Sequence, residues 1–419
     1  MAELHRNRPA VRDEDNAFVY AMGFDAAQGE DPIEMGRKRL AWLQQAEESE
    51  ELDLDRDPRG APPDYRATLH PAVKAYFDAC GPRGPACRAA FESAWPAFDT
   101  WNDSEAWLLE RYRTLLKMIS WREFVSRHVV APLPPYATVM DGQKVLLLHA
   151  RIRAANSDSS SVKELLAGDL RFWRRALESS DLLISKMIAT AAILRHFKLG
   201  AGIVSALPTT QVQEAMPAEW SVAITDAELS MWRCMTGEWI LTSGTIRSLE
   251  SELAESLPTD DSIVDKAIAS FSSPFFQPQD TINLFAEQYA LAAKMIEGVP
   301  LAEYEAATNR VTELAERATR EAFPPRSLYN IPGRIVLGYG PDYGSYARRI
   351  GDIEGVRRAA LAAVSLQEEQ VLTDAVPAAL AASPLRNPYN DQPLAWDASD
   401  GAVVFRGLEP GERGEHRIH

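Results

Sequence analysis

A chain of 419 residues with 60 acidic and 44 basic side chains carries a formal net charge of −16. That balance argues against a nucleic-acid groove or an anionic lipid surface, both of which need clustered Lys and Arg. With 46% apolar and 25% charged residues, the composition is that of an ordinary globular protein that folds without a metal or a disulfide.

The length fits two or three domains, or one continuous helical assembly. The opening "MAELHRNRPAVRDEDNAF" is polar and lacks the apolar segment of a signal peptide, so it reads as a cytosolic start or as a mature region parted from an export signal. No uninterrupted run of about 18 apolar residues predicts a membrane span.

Residues 1–30 read as an N-terminal arm, and a helix is expected over 31–52. The acidic, Pro-rich "DLDRDPRGAPPDYR" (Asp53–Arg66) then reads as an exposed connector. Cys80 falls near the end of one predicted helix and Cys87 near the start of the next, over 84–102. Gly81 suits a helix C-cap and Pro85 a first helical position, so the short turn between them is able to bring the sulfurs together. A disulfide there would stabilise the fold by about 2.5 kcal/mol in the chain-entropy model. The alternative is two reduced cysteines in a cytosolic protein. Cys234, in "MWRCMTGEW", is expected to be a buried, unpaired thiol.

"SEAWLLERYRTLLKMISWREFVSR" places Trp107, Leu108, Tyr112, Leu115, Leu116, Ile119 and Phe124 on one helical stripe, with Ser104 as N-cap. "APLPPYATVMDG" (Ala131–Gly142) reads as a second connector, followed by a helix over 141–156 in which His149 is expected to be a hydrogen-bonded core or interface histidine and not a ligand. Ser160-x-x-Lys163 matches the serine–lysine pattern of penicillin-recognising enzymes, but the partner motifs are missing and a serine run surrounds it; it reads as a helix-capping loop. Ser161 and Glu164 stand at capping-box spacing for a helix to Ser179. In its "RFWRRAL", Arg174 and Arg175 are expected on a solvated face, with Phe172 and Trp173 partly in the core. The almost continuously apolar segment from Asp181 toward Leu199 predicts a buried central helix.

Further helices are expected at 225–255, 262–272, 279–297, 300–322 and 345–375. Between the last two, "RIVLGYGPDYGSYARRI" spaces Gly338, Gly340 and Gly344 where backbone amides face an anion in phosphate loops. The spacing is not the dinucleotide fingerprint, and Asp342 would repel an anion, so a rigid structural turn is expected. In "QPLAWDASDGAVVFRGL", Leu394–Trp396 and Ala402–Phe405 flank an Asp-Gly turn and predict a small β-hairpin. His416 and His419 follow in a polar tail expected to be mobile.

The predicted architecture is mainly α, an irregular multi-helix array with a body over 31–383 and a C-terminal hairpin and tail over 384–419. No constant-period repeat is present. The seven histidines form no His-Glu-x-x-His, and there is no Cys-x-x-Cys, so neither metal nor cofactor is predicted. The ten tryptophans and twelve tyrosines include rings suited to lining a sugar or peptide groove, though most should be core. No catalytic residue is assigned; the carboxylate separation that glycoside chemistry requires is spatial.

"NAFVYAMGFDAAQGEDPIEMGRKRL", "SLYNIPGRIVLGYGPDYGSYARRIGDIEGVRRAALAAVSLQ" and "NPYNDQPLAWDASDGAVVFRG" resemble uncharacterised helical envelope proteins of Gram-negative bacteria. Members of that group carry an N-terminal membrane anchor and end in an Asp-Pro-(Tyr/Phe)-x-x-x-Pro-Leu-x-(Tyr/Trp) hairpin. Asn387 stands in the Asp position here, while Pro388, Tyr389, Pro393, Leu394 and Trp396 match. The resemblance covers the two ends better than the middle. It implies a periplasmic protein, anchored to the inner membrane in full-length form, and it implies no activity. An oxidising compartment would also permit the Cys80–Cys87 pair. The resulting expectation is a binding or scaffold protein whose partner is a protein or an envelope polymer, with Tyr389, Leu394, Trp396 and Phe405 clasping the hairpin to the body. The rivals are a peptidoglycan or polysaccharide hydrolase using groove carboxylates, and a cytosolic helical interaction protein.

Overall fold

Asn16 opens the first helix by accepting a hydrogen bond from the Phe18 amide at 3.2 Å, and every residue of that helix, α1 (Ala17–Met22), is buried. The computed structural model describes residues 3, 7–49, 51–61, 65–80, 86–99, 106–255, 276–320, 330 and 342–419. α2 (Pro32–Ser49) crosses α1 so closely that a Cβ on Gly36 would lie 1.9 Å from the Val19 carbonyl oxygen. On its inner face the fully buried Arg39 donates twice to Asp57 at 3.0 Å and once to Met22 O at 2.6 Å. The 53–66 connector is therefore tied down at Asp57, and again at its end: the Tyr65 hydroxyl and the Arg66 guanidinium both donate to the buried Asp141.

α3 (Pro71–Ala79) and α4 (Cys87–Asp99) follow, joined by the Cys80–Cys87 disulfide; Cys234 is free and buried, as expected. Gly81, Pro85 and Ser104 lie outside the described residues. α5 (Ala106–Lys117) ends well before Phe124, correcting the long helix read from the apolar stripe. Beyond Lys117 the backbone pairs with the chain start instead: Ser120 N donates to Asp15 O at 3.1 Å and Ala17 N to Ser120 O at 2.9 Å. Asn16 and Arg122 exchange two further hydrogen bonds of 2.9 Å. Extended pairing outcompetes local helix propensity there, and Ile119 is left exposed.

α6 (Tyr136–Ala155) begins five residues before the predicted start, so most of "YATVMDG" is buried helix and not connector. α7 (Ser159–Ser179) is capped by Asp158, which accepts from Ser161 N at 3.1 Å; Ser161 is inside the helix and Ser160 is exposed there, so the expected capping roles fall to a neighbour. Phe172 and Trp173 are fully buried, and the arginines beside them are engaged: Arg174 grips Glu228 with bonds of 2.6 and 2.8 Å, and Arg175 donates to Met118 O at 2.5 Å. α8 (Leu183–Val204) is the buried central helix, packed against α6 and α7. By length and composition α8 would cross a membrane, but two thirds of its apolar window is buried inside the fold, as suits a core helix.

After single turns at Val212–Ala215 and Asp226–Leu229 come α9 (Trp232–Glu255), α10 (Pro278–Ile296), α11 (Tyr304–Arg320), α12 (Tyr343–Glu368) and α13 (Val376–Ala382). The predicted helix at 262–272 lies outside the described residues. α9 packs on α10, α10 on α11 and α11 on α12, and α12 returns to lie along α8. One cluster of buried side chains runs from Ala17 to Ile418, so the described helices share a single core.

The mainly α prediction holds, but the C-terminus carries a sheet of three strands, not two. β1 (Ala395–Asp397), β2 (Ala402–Arg406) and β3 (Glu415–Ile418) form an antiparallel sheet in that order, with Trp396 opposite Val403 and Phe405 opposite His416. The tail expected to be mobile is thus β3. Its alternation puts His416 and Ile418 inward and Arg417 outward, where Arg417 pairs with Asp397 at 2.5 Å. The sheet packs on α12 and α8.

Candidate functional site

Three groups of interior polar side chains are strung along α8: one at its N-terminus, one at its middle and one near its C-terminal half. At the N-terminus, Leu182 has no side chain able to cap, yet the first amides of a helix need acceptors. Two carboxylates remote in sequence supply them. Glu123 accepts from Asp181 N at 2.9 Å and Leu182 N at 2.7 Å, and Glu238 accepts from Leu183 N at 2.9 Å. The Trp121 indole donates to the other oxygen of Glu123 at 2.7 Å. Burial pushes Glu123 up to about 7 and raises Glu238 as well, with the charge of Glu123 adding to the second shift. Arg8 covers this end, ion-paired with Asp181 and held by its own carbonyl to Arg122 at 2.9 Å.

One turn further, the buried Lys186 ammonium donates to Leu177 O and Glu228 O, each at 2.8 Å, and burial holds it down at about 8. Burial likewise pushes the nearby Cys234 thiol up to about 12, which keeps it protonated.

At the middle of α8 a histidine and a carboxylate face each other with no exposure at all: His196 Nδ1 lies 2.8 Å from Asp169 Oδ2 on α7. The Trp220 indole N–H, which can only donate, points at His196 Nε2 from 2.9 Å. The hydrogen-bond pattern therefore assigns the proton to Nδ1, which donates to Asp169. Tyr112 donates to the other Asp169 oxygen at 2.5 Å and receives the Trp173 indole at 2.7 Å. Gln143 donates to Asp169 at 3.1 Å, its carbonyl accepts from Arg195 at 2.8 Å, and Arg195 donates on to the Cys80 carbonyl at 2.8 Å. A His–Asp pair is half of a hydrolytic triad, but here the nitrogen that would activate a nucleophile is held by tryptophan. The pair anchors α6, α7 and α8 to one another and to the disulfide.

Near the C-terminal half, the buried Asp352 of α12 accepts from the Tyr389 hydroxyl at 2.8 Å and from Leu408 N at 3.1 Å. The buried imidazole of His416 stacks on Phe405 at 5.7 Å, and its Nε2 stands 3.5 Å from Asp352 Oδ2, within ion-pair reach of it. Among the described residues, neither ring nitrogen of His416, nor the hydroxyl of the buried Tyr304, has a hydrogen-bond partner. Lys198 on α8 faces the same carboxylate, and burial lowers it to about 8.

Of the residues expected to clasp the hairpin, Tyr389, Leu394 and Phe405 are buried and Trp396 is half-buried. Gly344 is not in a turn; it is the second residue of α12, where a Cβ would meet Thr308 O at 2.4 Å, while Gly338 and Gly340 lie outside the described residues. Asp342 caps that helix by accepting from Ser345 N at 3.3 Å, and Arg348 is engaged by Asn309 at 2.8 Å. His149 is half-buried and accepts from Arg153 at 3.3 Å; burial lowers it to about 4. Asp169, His196, Glu123, Glu238 and Asp352 went unread because their partners are far away in sequence. His416 alone carried a local signal, the alternation of "EHRI".

A crevice of about 220 Å³, counting space open to solvent, lies where Arg174, Glu228 and Arg357 meet Phe197, Ile224 and Ile353. Among the described residues, no three His, Cys, Asp or Glu side chains are grouped to hold a metal ion. Comparison of the chain with family models, curated proteins and solved structures returns no match.

Proposed function

We propose that the protein is a helical binding or scaffold protein of the periplasm, anchored to the inner membrane in its full-length form, with a protein or an envelope polymer as partner. The observation that carries this reading is how the interior ionisable groups are used. Glu123 and Glu238 cap α8, His196 and Asp169 lock α7 to α8, and Lys186 closes the end of α7. Chemistry-bearing side chains engaged in this way build a rigid support. The Cys80–Cys87 disulfide supports the choice of an oxidising compartment. Thiol counting on denatured, unreduced protein drawn from the envelope fraction of a Gram-negative host tests the compartment: one free sulfhydryl per chain is expected, and three would favour the cytosolic rival.

The hydrolase rival is favoured by one observation, the two carboxylates Glu123 and Glu238 raised together at one end of a helix. Release of soluble fragments from purified peptidoglycan, abolished by Glu238→Gln with the melting curve unchanged, would move that rival to first place.

A further inference from the structure

We propose that the C-terminal sheet is an acid-released latch, with His416 as the residue that responds to pH. His416 sits at the seam where β3 meets the helical body, stacked on Phe405 and facing Asp352 at 3.5 Å. Both ring nitrogens are buried without a hydrogen-bond partner among the described residues. A neutral imidazole leaves one N–H and one lone pair unpaired in that seat but brings no charge into it. An imidazolium carries two N–H donors; Nε2 faces only Asp352 Oδ2, at 3.5 Å, and Nδ1 has no acceptor among the described residues, so the buried seat compensates the charge incompletely.

The surroundings decide which form the docked sheet prefers. Among the described residues, Asp352 on α12 is the carboxylate opposite His416: its Oδ1 accepts from Tyr389 and Leu408 N, and its Oδ2 faces the ring. Lys198 on α8 faces the same carboxylate and opposes a second positive charge. Tyr304 on α11 and the Tyr389 phenol complete the surround, both pushed well above their ordinary range by burial. Arg349 is paired with Glu409 at 3.1 Å. On β3 itself, Glu415 and Arg417 pair with each other at 2.8 Å, and His419 faces Asp400 at 3.5 Å. Burial first, then Lys198, lowers the docked His416 below its ordinary value, against the opposing pull of Asp352. The docked sheet therefore binds fewer protons than the lifted one. Docking is at full strength above the ordinary histidine pKa and weakens as pH falls through it toward the lowered docked value.

Release has a defined path. β3 contacts the body through His416 and Ile418, and β2 through Phe405, whose ring rests on Gly355 of α12. Lifting them would uncover an apolar strip on α12 while leaving the hydrogen-bonded interior of α6, α7 and α8 intact.

Hydrogen exchange on the full chain tests the latch, with rates corrected for the intrinsic effect of pH. With an ordinary histidine pKa of about 6.5 for the lifted sheet, the opening equilibrium of residues 402–418 should rise severalfold, to a ceiling of about tenfold, between pH 7.5 and 5.5. Peptides from α7 and α8 should stay unchanged. The rise should vanish in His416→Gln and in His416→Leu, the second guarding against failure of the first to fold, and should persist in His419→Gln. A flat profile in the wild type, a rise shared equally by α8, or a rise retained in both His416 variants would each overturn the latch.

Discussion

Gly355→Ala sets two known effects against each other. Alanine in place of glycine inside a helix gains about 1 kcal/mol from backbone propensity alone. Against this, the Cβ at position 355 would stand 2.0 Å from Phe405 Cζ, with two more ring carbons within 2.4 Å. Phe405 is fully buried between α12 and His416, so it cannot step aside without leaving its seat. Unseating a buried phenylalanine costs about 3–5 kcal/mol, by analogy with its truncation to alanine. The seat outweighs the propensity gain, and a net loss of about 2–4 kcal/mol is expected, confined to the sheet. Gly202→Ala is the control: in α8 its Cβ would meet only the His419 carbonyl at 3.8 Å, an ordinary contact, so it should be neutral or stabilising. Hydrogen exchange over residues 402–418, Trp396 fluorescence and a melting curve would be recorded on both. A Gly355→Ala protein that melts at or above wild type, with Trp396 and β2 unchanged, would refute the argument.

Deleting residues 387–419 should lower the melting temperature by several degrees, since a sheet that buries Tyr389, Leu394, Phe405 and Ile418 supports the body in return; an unchanged melting curve would assign the tail to a partner. Glu123 predicts the opposite pH behaviour from His416. Its folded pKa lies above the free value, so stability is full below about pH 4.3 and declines as pH rises toward about 7, at roughly 1.4 kcal/mol per unit at most. Urea midpoints of wild type and Glu123→Gln across pH 4.5–7 should diverge accordingly, the variant being flatter; identical slopes would mean that the carboxyl is not titrating in this range. Replacing Cys80 and Cys87 together by Ala should cost about 2.5 kcal/mol, plus a loosening of the Arg195–Cys80 carbonyl bond, read as faster exchange in α3; unaltered stability would show the staple to be idle.

What this sequence determines by itself is its periodic and local structure. The apolar run that becomes α8, the helices over 278–296 and 304–320, the short Cys80–Cys87 loop and the Asp-Gly turn of the C-terminal sheet are legible because each depends on neighbours a few residues away. Tertiary structure decided the rest. The stripe past Lys117 has good helical spacing, but backbone pairing with Asp15 and Ala17 is a contact across more than a hundred residues, and it wins. "YATVMDG" carries connector chemistry, yet the segment is buried as helix, with the Tyr112 ring so close that a Cβ on Gly142 would stand 2.9 Å from it. The carboxylates that cap α8 come from 58 and 55 residues away, and Asp169 finds His196 only because α7 and α8 are antiparallel neighbours in space. Even His416, whose alternation hinted at a strand, took its role from Asp352 and Lys198 on two other elements. Hydrophobic periodicity is a property of one segment. Pairing a buried polar group is a property of whichever segments the fold brings together, and desolvation makes that pairing obligatory only once they are buried.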